Sequence, residues 1–341
     1  MPRRRPFAPL VLAVAVAAVL PLGPAVAFAA PADSAVSPGT PCATAPAAVT
    51  GPTQVRAADG RPLPPNVAAF MRAYEAWGAA ASVPGYMELF TPTGTLMDTG
   101  LPEPIGHEAI RAQMESLLKE VPNYTFDPLS VVASRDGKVA FVTARNTGKL
   151  ARTGVCFDYI TTHRLVLDGE RVEQGRRFWD QTELFRPLAP ELRNLFAGLT
   201  PTPPSVPRTT DRKQAWNTRD TAALIAGVDG PVRLTGPGLD APLTGRAAAR
   251  SYLDRLFSEV HSLRLEPGHT VRRGAVTYRE WVGHAVVGPE RREVTYGISE
   301  RFTRERDGGT SWHLAFETLD LVATEKDIRD LRLLLFPRTT G

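Results

Sequence analysis

The stretch PIGHEAIRAQMESLLKEV, residues 104–121, returns 139 positions later as LTGRAAARSYLDRLFSEV, residues 243–260. When the two stretches are superposed, six residues are identical, from Gly106 on Gly245 to the final valine of each. Apolar residues recur at helical spacing in both copies, so each stretch predicts a helix with one buried face.

The same offset extends well beyond this helix. It superposes Trp77 on Trp216 and Pro128 on Pro267, with a short gap near residue 90. Solenoid repeats usually have periods of about 20–50 residues. A repeat with an offset of 139 residues therefore indicates a duplicated domain rather than a solenoid.

Each copy places helices before strands, which predicts an α+β fold. In the first copy, Val67 through Trp77 has helical spacing and a short helix follows, whereas turn residues separate the later extended segments. The predicted elements after the first helix are a helix at 84–90, a strand at 95–98, the repeated helix at 107–120, and extended segments at 129–147, 154–167 and 171–185. We expect two tandem cones, each a curved and mostly antiparallel sheet wrapped around helices and enclosing a pocket.

Composition divides the chain into five segments. A Pro/Ala-rich stretch with little apolar periodicity predicts a disordered arm, and a Pro-rich stretch predicts a linker. The expected segments are a signal peptide at 1–29, the arm at 30–62, the first domain at 63–199, the linker at 200–210 and a second, degenerate domain at 211–341.

The first 29 residues have the pattern of an export signal. Three arginines precede an apolar run from Phe7 to Leu22, and Ala27-Phe28-Ala29 fits a signal cleavage site. We expect a secreted or otherwise extracytoplasmic protein that retains no membrane anchor. Both the general route and the twin-arginine route remain open, because Arg4-Arg5 precedes the run.

Charge and cysteine usage narrow the function classes. The net charge of +4 falls by three when the signal is removed, and no Lys/Arg-rich block suggests nucleic acid or an anionic membrane as a partner. Cys42 and Cys156 are the two cysteines of the chain. In an oxidising compartment they form a possible disulfide, which would tie the arm to the first domain.

Several motifs of the first copy resemble the SnoaL-like branch of the NTF2-like superfamily, which also contains the ketosteroid isomerases. They are AYEAW (73–77), YMELF (86–90), GTLMD (94–98), PIGHEAIR (104–111) and a final strand ending in RFWDQTEL (177–184). The second copy is similar but weaker, at AWNTRDTAALIAGV (215–228), LTGRAAAR (243–250) and LAFETLDLV (314–322). The resemblance covers nearly all of residues 65–325. It is more specific for fold than for reaction, since one fold hosts many functions.

The resemblance implies an acid–base pair in the first copy. Tyr74 matches the isomerases' hydrogen-bonding tyrosine, and Asp98 matches their general base, which removes a proton next to a carbonyl. Their second oxyanion donor falls near Thr161 or Thr162, which is a departure from the family pattern. In the cyclase-like branch the carboxylate lies on a later strand, where Asp180 is the candidate.

The second copy lacks the isomerase-like pair. Lys213 and Leu234 fall at the registers of Tyr74 and Asp98, whereas Glu317 falls at that of Asp180. We therefore expect the second domain to be a structural or binding partner of the first, with a cyclase-like carboxylate conceivable at Glu317.

Four aromatic or imidazole side chains of the first copy are expected to contact a ligand: Trp77, Tyr86, His163 and Trp179. Structural alternatives stand beside these assignments. Tyr74 and His163 also fit buried core positions, Asp98 fits a turn before Thr99-Gly100, and Asp180 fits an ion pair with Arg176 or Arg177.

The sequence as a whole predicts a small apolar ligand. The six histidines lack the close spacing of common zinc motifs, and no phosphate-binding or dinucleotide-binding glycine motif is present. We expect no cofactor, so any catalysis would be acid–base chemistry on a carbonyl compound. The alternative is a binding or interaction module without activity, in which the two domains pack together as an intramolecular pseudo-dimer.

Overall fold

The structure, a computed structural model, describes residues 57–58, 60–186, 189–190 and 192–335, and only the backbone of 332–335. These residues fall within one compact unit, Gly39–Gly341. The expected signal peptide, Cys42 and most of the arm lie outside the described residues. In the described part of the chain, no helix is both long enough and apolar enough to cross a membrane.

The first domain follows the predicted order of helices and strands. Its elements are α1 (Pro65–Ala79), α2 (Val83–Glu88), β1 (Phe90–Met97), α3 (His107–Glu120), β2 (Thr125–Ala133), β3 (Val139–Lys149), β4 (Cys156–Asp168), β5 (Arg171–Phe178) and α4 (Gln181–Phe185).

The second domain repeats this order with shorter first helices. Its elements are α5 (Arg212–Asn217), α6 (Thr221–Ala226), β6 (Val232–Thr235), β7 (Leu243–Thr244), α7 (Arg246–Ser258), β8 (Val260–Arg273), β9 (Val276–Val287), β10 (Arg292–Arg304), β11 (Thr310–Ala315), α8 (Leu319–Val322) and α9 (Glu325–Leu335).

Each domain has one mixed sheet of similar topology. The strand order is β1-β5-β4-β3-β2 in the first and β7-β6-β11-β10-β9-β8 in the second. The pairs β1–β5 and β6–β11 are parallel, and the other pairs are antiparallel. This confirms the predicted α+β fold with two tandem cones.

Most strands of the two domains correspond at a different offset from the helices. Leu165 pairs with Gly175 in the first sheet and Phe302 pairs with Trp312 in the second, so residues of β4 and β5 correspond to residues of β10 and β11 that lie 137 positions later. Met97 pairs with Arg176 as Thr235 pairs with His313, so residues of β1 correspond to residues of β6 that lie 138 positions later. The counterpart of Asp98 is therefore Gly236, and the sequence assignment to Leu234 is wrong by two residues.

The predicted strand at 171–185 ends earlier, at Phe178. The Asp180 side chain accepts a hydrogen bond from the Thr182 amide, which starts helix α4 at Gln181. A carboxylate at this position satisfies an amide that would otherwise lack a partner at the helix start, and so favours helix over strand.

The arm is structured where its end is described. Ala57 is buried and pairs with Val131 in a parallel bridge, and the Ala58 amide donates to the Val131 carbonyl. Disorder, expected as far as residue 62, therefore does not extend through these residues.

Each domain core contains apolar residues from the other half of the chain. The core of the first domain includes residues that follow β11, namely Leu319, Ala323, Ile328 and Leu331. Leu195 and Phe196, which follow α4, belong to the core of the second domain. The segment after each sheet thus closes the opposite core.

A third apolar cluster joins the two sheets. It contains Val132 and Phe141 of the first domain with Val271, Val276 and Tyr278 of the second. The rings of Phe141 and Tyr278 stack with centroids 4.9 Å apart. The Tyr278 hydroxyl shares a hydrogen bond of 2.7 Å with Thr143, so its polar end is also satisfied.

A buried carboxylate, Glu280, lies beside this cluster. It is 2% exposed, and the Nε atoms of Arg164 and Arg176 approach its Oε1 at 3.3 and 3.1 Å. His269 donates its backbone amide to Oε2 at 3.0 Å. Burial alone would raise the pKa of Glu280, but His269 and the two arginines outweigh burial and lower the pKa to about 2.

We predict that Glu280→Gln destabilises the protein by about 3–5 kcal/mol, because it leaves the buried guanidinium group of Arg164 and the half-buried one of Arg176 without their carboxylate. Since the pKa of Glu280 is lowered on folding, wild type should keep this stabilisation above pH 4.5 and lose it as the pH falls toward 2. Urea unfolding across that range would measure both effects.

Glu266→Gln is the control, because Glu266 is exposed and pairs with Lys213 at the surface. Equal effects of the two variants at neutral pH would contradict a special contribution of Glu280. So would a wild-type stability that stays flat between pH 4.5 and 2.

Candidate functional site

A cavity of about 240 Å³ lies in the first domain. It is bounded by the loop after β1, by α3, by the ends of β4 and β5, and by α4. Its lining residues are Asp98, Thr99, Gly100, Leu101, Gln113, Met114, Leu117, Tyr159, Arg177, Trp179, Gln181, Leu184 and Phe185. We call this space the first-domain cavity.

Asp98 lies directly after β1 and is 5% exposed. Its Oδ1 accepts from the Thr99 amide at 2.9 Å and from Trp179 Nε1 at 3.0 Å. Its Oδ2 accepts from Gln113 Nε2 at 3.1 Å and forms an ion pair with Arg177. Four donors therefore satisfy the carboxylate, two on each oxygen.

The turn after Asp98 depends on Gly100. The Leu101 amide bonds back to the Asp98 carbonyl at 3.1 Å, and Gly100 has a φ of 78°. Residues with a Cβ rarely adopt this left-handed conformation. Asp98 therefore has both the predicted turn position and a place at the cavity.

Tyr74 is buried elsewhere. Its ring packs between Phe70 and Phe126, and its hydroxyl shares a hydrogen bond of 2.7 Å with His163 Nδ1. Burial raises the pKa of the Tyr74 hydroxyl. Tyr74 lines a void of about 10 Å³, which has room for one water molecule. The structure thus does not bring Tyr74 and Asp98 into one cavity.

The four expected contact residues are likewise divided. Trp179 lines the first-domain cavity, and its ring stacks on that of Tyr159 at 4.8 Å. Tyr86 and His163 line the small void beside Tyr74. Trp77 is buried against Tyr86 and donates its indole N–H to the Ser82 carbonyl at 3.0 Å.

His163 belongs to a buried chain of hydrogen bonds. Its Nε2 shares a hydrogen bond of 2.8 Å with the Thr161 hydroxyl, which accepts from Asn146 at 3.1 Å. Tyr124 in turn donates to Asn146. Burial, helped by the charge of Arg177, lowers the pKa of His163 to about 3, so the ring is neutral.

Asp180 connects the two domains rather than lining the cavity. It is 2% exposed and accepts from Thr182 and, across the domain boundary, from the amide and hydroxyl of Thr318. Burial raises the pKa of Asp180, although these hydrogen bonds oppose the rise. Glu317, its counterpart, accepts from the Gln181 and Leu319 amides. Both carboxylates therefore accept hydrogen bonds from backbone amides at the starts of α4 and α8.

Both arginines proposed as partners of Asp180 pair with other carboxylates. Arg177 pairs with Asp98 and Arg176 with Glu280. The polar lining residues that sequence reasoning missed include Arg177, Gln113, Tyr159 and Gln181. The alternation of β5 could have indicated Arg177, which follows Gly175 on the same face.

In the second domain an ion pair replaces the Tyr74–His163 contact. Glu300 lies 137 positions after His163, is fully buried and pairs with Arg212 of α5. Trp281 Nε1 also donates to Glu300 at 2.6 Å. Lys213 instead pairs with Glu266 at the surface. Arg212 rather than Lys213 therefore makes the contact that corresponds to the one between Tyr74 and His163.

Two further predictions concern cysteine and metal. Cys156 begins β4 and is disulfide-bonded. Cys42 lies outside the described residues, so the Cys42–Cys156 pairing stays a prediction. Among the residues that the structure describes, no group of three His, Cys, Asp or Glu side chains could hold a metal ion.

We predict that His163 makes stability depend on pH. Because the pKa of its ring falls from 6.5 to about 3 on folding, its contribution is present above pH 6.5 and is lost as the pH falls toward 3. The loss should be about 1.4 kcal/mol for each pH unit between 6.5 and 4.5. Urea unfolding at several pH values should give a smaller slope for His163→Gln than for wild type.

His284→Gln is the control, since His284 is exposed on β9, and it should keep the wild-type slope. NMR of the wild-type ring gives a second measurement that does not need the variant to fold. An imidazole of His163 that gains its proton near pH 6.5 would contradict the prediction.

Comparison with known proteins follows the same division into two domains. The sequence profile of the SnoaL-like domain matches residues 67–174 and again residues 212–313. No curated protein sequence matches the chain.

Several solved structures resemble single domains. A Catenulispora acidiphila protein with a ketosteroid isomerase-like fold, in complex with trimethylamine, is 16% identical (35% of this chain, 90% of that one, TM-score 0.31). A Jannaschia protein provisionally named a SnoaL-like polyketide cyclase is 19% identical (38% and 98%, TM-score 0.34). An NTF2-like protein of unknown function from Burkholderia pseudomallei is 15% identical (36% and 98%, TM-score 0.32). Because the two profile matches span more than half of the chain, the protein belongs to the SnoaL-like domain family and carries that domain twice.

Proposed function

We propose that the first domain binds a small, largely apolar molecule in the first-domain cavity and does not turn it over. The observation that carries this proposal is the state of Asp98. A general base needs a free lone pair directed at the proton it removes. Because four protein donors occupy the Asp98 oxygens, proton removal would first require one of these hydrogen bonds to break.

The walls of the cavity favour an apolar ring. Leu101, Met114, Leu117, Leu184 and Phe185 supply apolar surface, and Trp179 and Tyr159 are stacked on each other at its edge. Ligand pockets usually measure about 300–1,000 Å³. At about 240 Å³ the cavity lies just below that range, which favours a molecule of one or two rings.

Tyr159 and Gln113 could orient such a molecule. The Tyr159 hydroxyl has no hydrogen bond with another described residue, and burial raises its pKa, so it remains a neutral donor. Gln113 uses its amide oxygen on Arg177 and one amide hydrogen on Asp98. A ligand carbonyl or hydroxyl could bond to the Tyr159 hydroxyl and to the remaining Gln113 hydrogen.

The isomerase-like alternative has less support. Tyr74 points its hydroxyl at His163 and lines a different void from Asp98, so the two cannot act on one carbonyl compound without rearrangement. Asp180 is occupied by Thr182 and Thr318.

The proposal also assigns a role to the second domain and a location to the protein. The second domain acts as the packing partner that a homodimer would otherwise supply, as an intramolecular pseudo-dimer. The cluster of Phe141 with Tyr278 supports this role. The signal pattern of residues 1–29 supports binding outside the cytoplasm, with neither nucleic acid nor a membrane anchor involved.

We predict that Leu117→Trp weakens binding of 2-tetralone, a two-ring enolisable ketone, by at least about tenfold, because the indole fills the cavity. Leu129→Trp is the matched control, because Leu129 is 52% exposed and outside the cavity. Isothermal titration calorimetry would measure binding. NMR would measure deuterium exchange at the carbon next to the carbonyl, and this exchange should not be accelerated.

The two arms separate binding from catalysis. Loss of affinity in Leu117→Trp alone, with unaccelerated exchange, supports the proposal. Equal affinities of both variants would refute binding in this cavity. Accelerated exchange that disappears in Asp98→Asn would instead establish an acid–base enzyme.

A further inference from the structure

Four arginines line a second cavity, of about 320 Å³, where the two domains meet. They are Arg61, Arg135, Arg272 and Arg273. None of the residues that line the first-domain cavity contributes to it. We call it the arginine cavity.

Corresponding hairpins of the two domains build this cavity. Arg135 lies in the turn between β2 and β3, and Arg272 and Arg273 end β8 before β9. Ala133 pairs with Ala140 as Arg272 pairs with Thr277, so the β2–β3 and β8–β9 hairpins occupy corresponding places in the two sheets. A single SnoaL-like domain would supply only one tip, and the cavity therefore depends on the duplication.

The wall between the hairpins is held in place. Arg273 donates to the carbonyl of Pro62, and Pro62 and Pro64 both line the cavity. Proline fixes its own φ angle, so this wall loses little conformational freedom when a ligand binds.

Two of the arginines are available to a ligand. The side chains of Arg135 and Arg272 are exposed and have no hydrogen bond or ion pair with another described residue. The carboxylate on the same turn, Asp136, instead accepts from the Ser134 hydroxyl at 2.6 Å and from the Lys138 amide at 3.1 Å.

The charge of the cavity selects for an oxyanion. The exposed guanidinium groups of Arg135 and Arg272 border one space, and a bound anion would offset the repulsion between their like charges. The planar fork of each guanidinium matches two oxygens of a phosphoryl group. We propose that the arginine cavity binds a phosphoryl group, carried by a soluble phosphorylated molecule or by an anionic lipid headgroup.

The test uses the full chain with two probes at low ionic strength. Pyrophosphate, titrated by calorimetry, represents a soluble ligand, and phosphatidylglycerol vesicles in a sedimentation assay represent a lipid headgroup. The double variant Arg135→Gln/Arg272→Gln should weaken binding at least about tenfold, the factor expected when charge-assisted hydrogen bonds are lost.

A matched control separates the site from general charge. Arg111→Gln/Arg306→Gln removes the same two charges at exposed positions outside the cavity and should change affinity less than about twofold. Pyrophosphate binding lost in the first variant alone supports a soluble ligand, and vesicle binding lost in the same way supports a lipid. Binding of neither probe to wild type, or equal weakening by both double variants, would overturn the proposal.

Discussion

The closing of each cone by the other half of the chain is the constraint on which the rest of the structure depends. Leu319 and Ile328 complete the first core, and Phe196 completes the second. An open cone would expose its apolar interior, and burial of that surface contributes about 25 cal/mol per Å². Since each half covers the other, neither domain is independent, and the buried contacts of Asp180 with Thr318 lie where the two halves cross.

The two copies differ in what fills their interiors. In the first domain, α4 leaves a cavity beside α3. In the second, Phe196 stacks at 4.0 Å on Tyr252 of α7, which lies at the helix register of the cavity residue Gln113. The buried Arg212–Glu300 pair replaces a neutral Tyr–His contact there. A buried ion pair seldom makes a protein more stable than a pair of well-packed apolar residues would. Removal of either charged partner is strongly destabilising, however, so such a pair suits a structural core.

Sequence periodicity was sufficient to predict the fold, because the repeated helix and the turn residues are recognised from neighbouring residues in the sequence. The buried faces of α3 and α7 and the hairpin at Asp136-Gly137 follow from neighbours in sequence. The partners of Asp98 did not follow. Arg177 lies 79 residues away, and only strand pairing decides that it faces Asp98. The offset between the two copies also changes from the helices to the later strands. This change arises in the loops, because a change in loop length leaves the periodicity of the neighbouring helices and strands unaltered.

The pairing of Asp98 with Arg177 bears most directly on whether the first domain could catalyse a reaction or only bind a ligand. A catalytic carboxylate in an apolar site must change its protonation state at little cost. The carboxylate of Asp98 accepts from a guanidinium, an indole, an amide side chain and a backbone amide, so one of these contacts must break before it can accept a proton from a substrate. The same four contacts fix the loop after β1, the side chain of Trp179 and the amide of Gln113, all of which line the cavity. Asp98 therefore fixes the shape of the cavity in which we propose that a ligand binds.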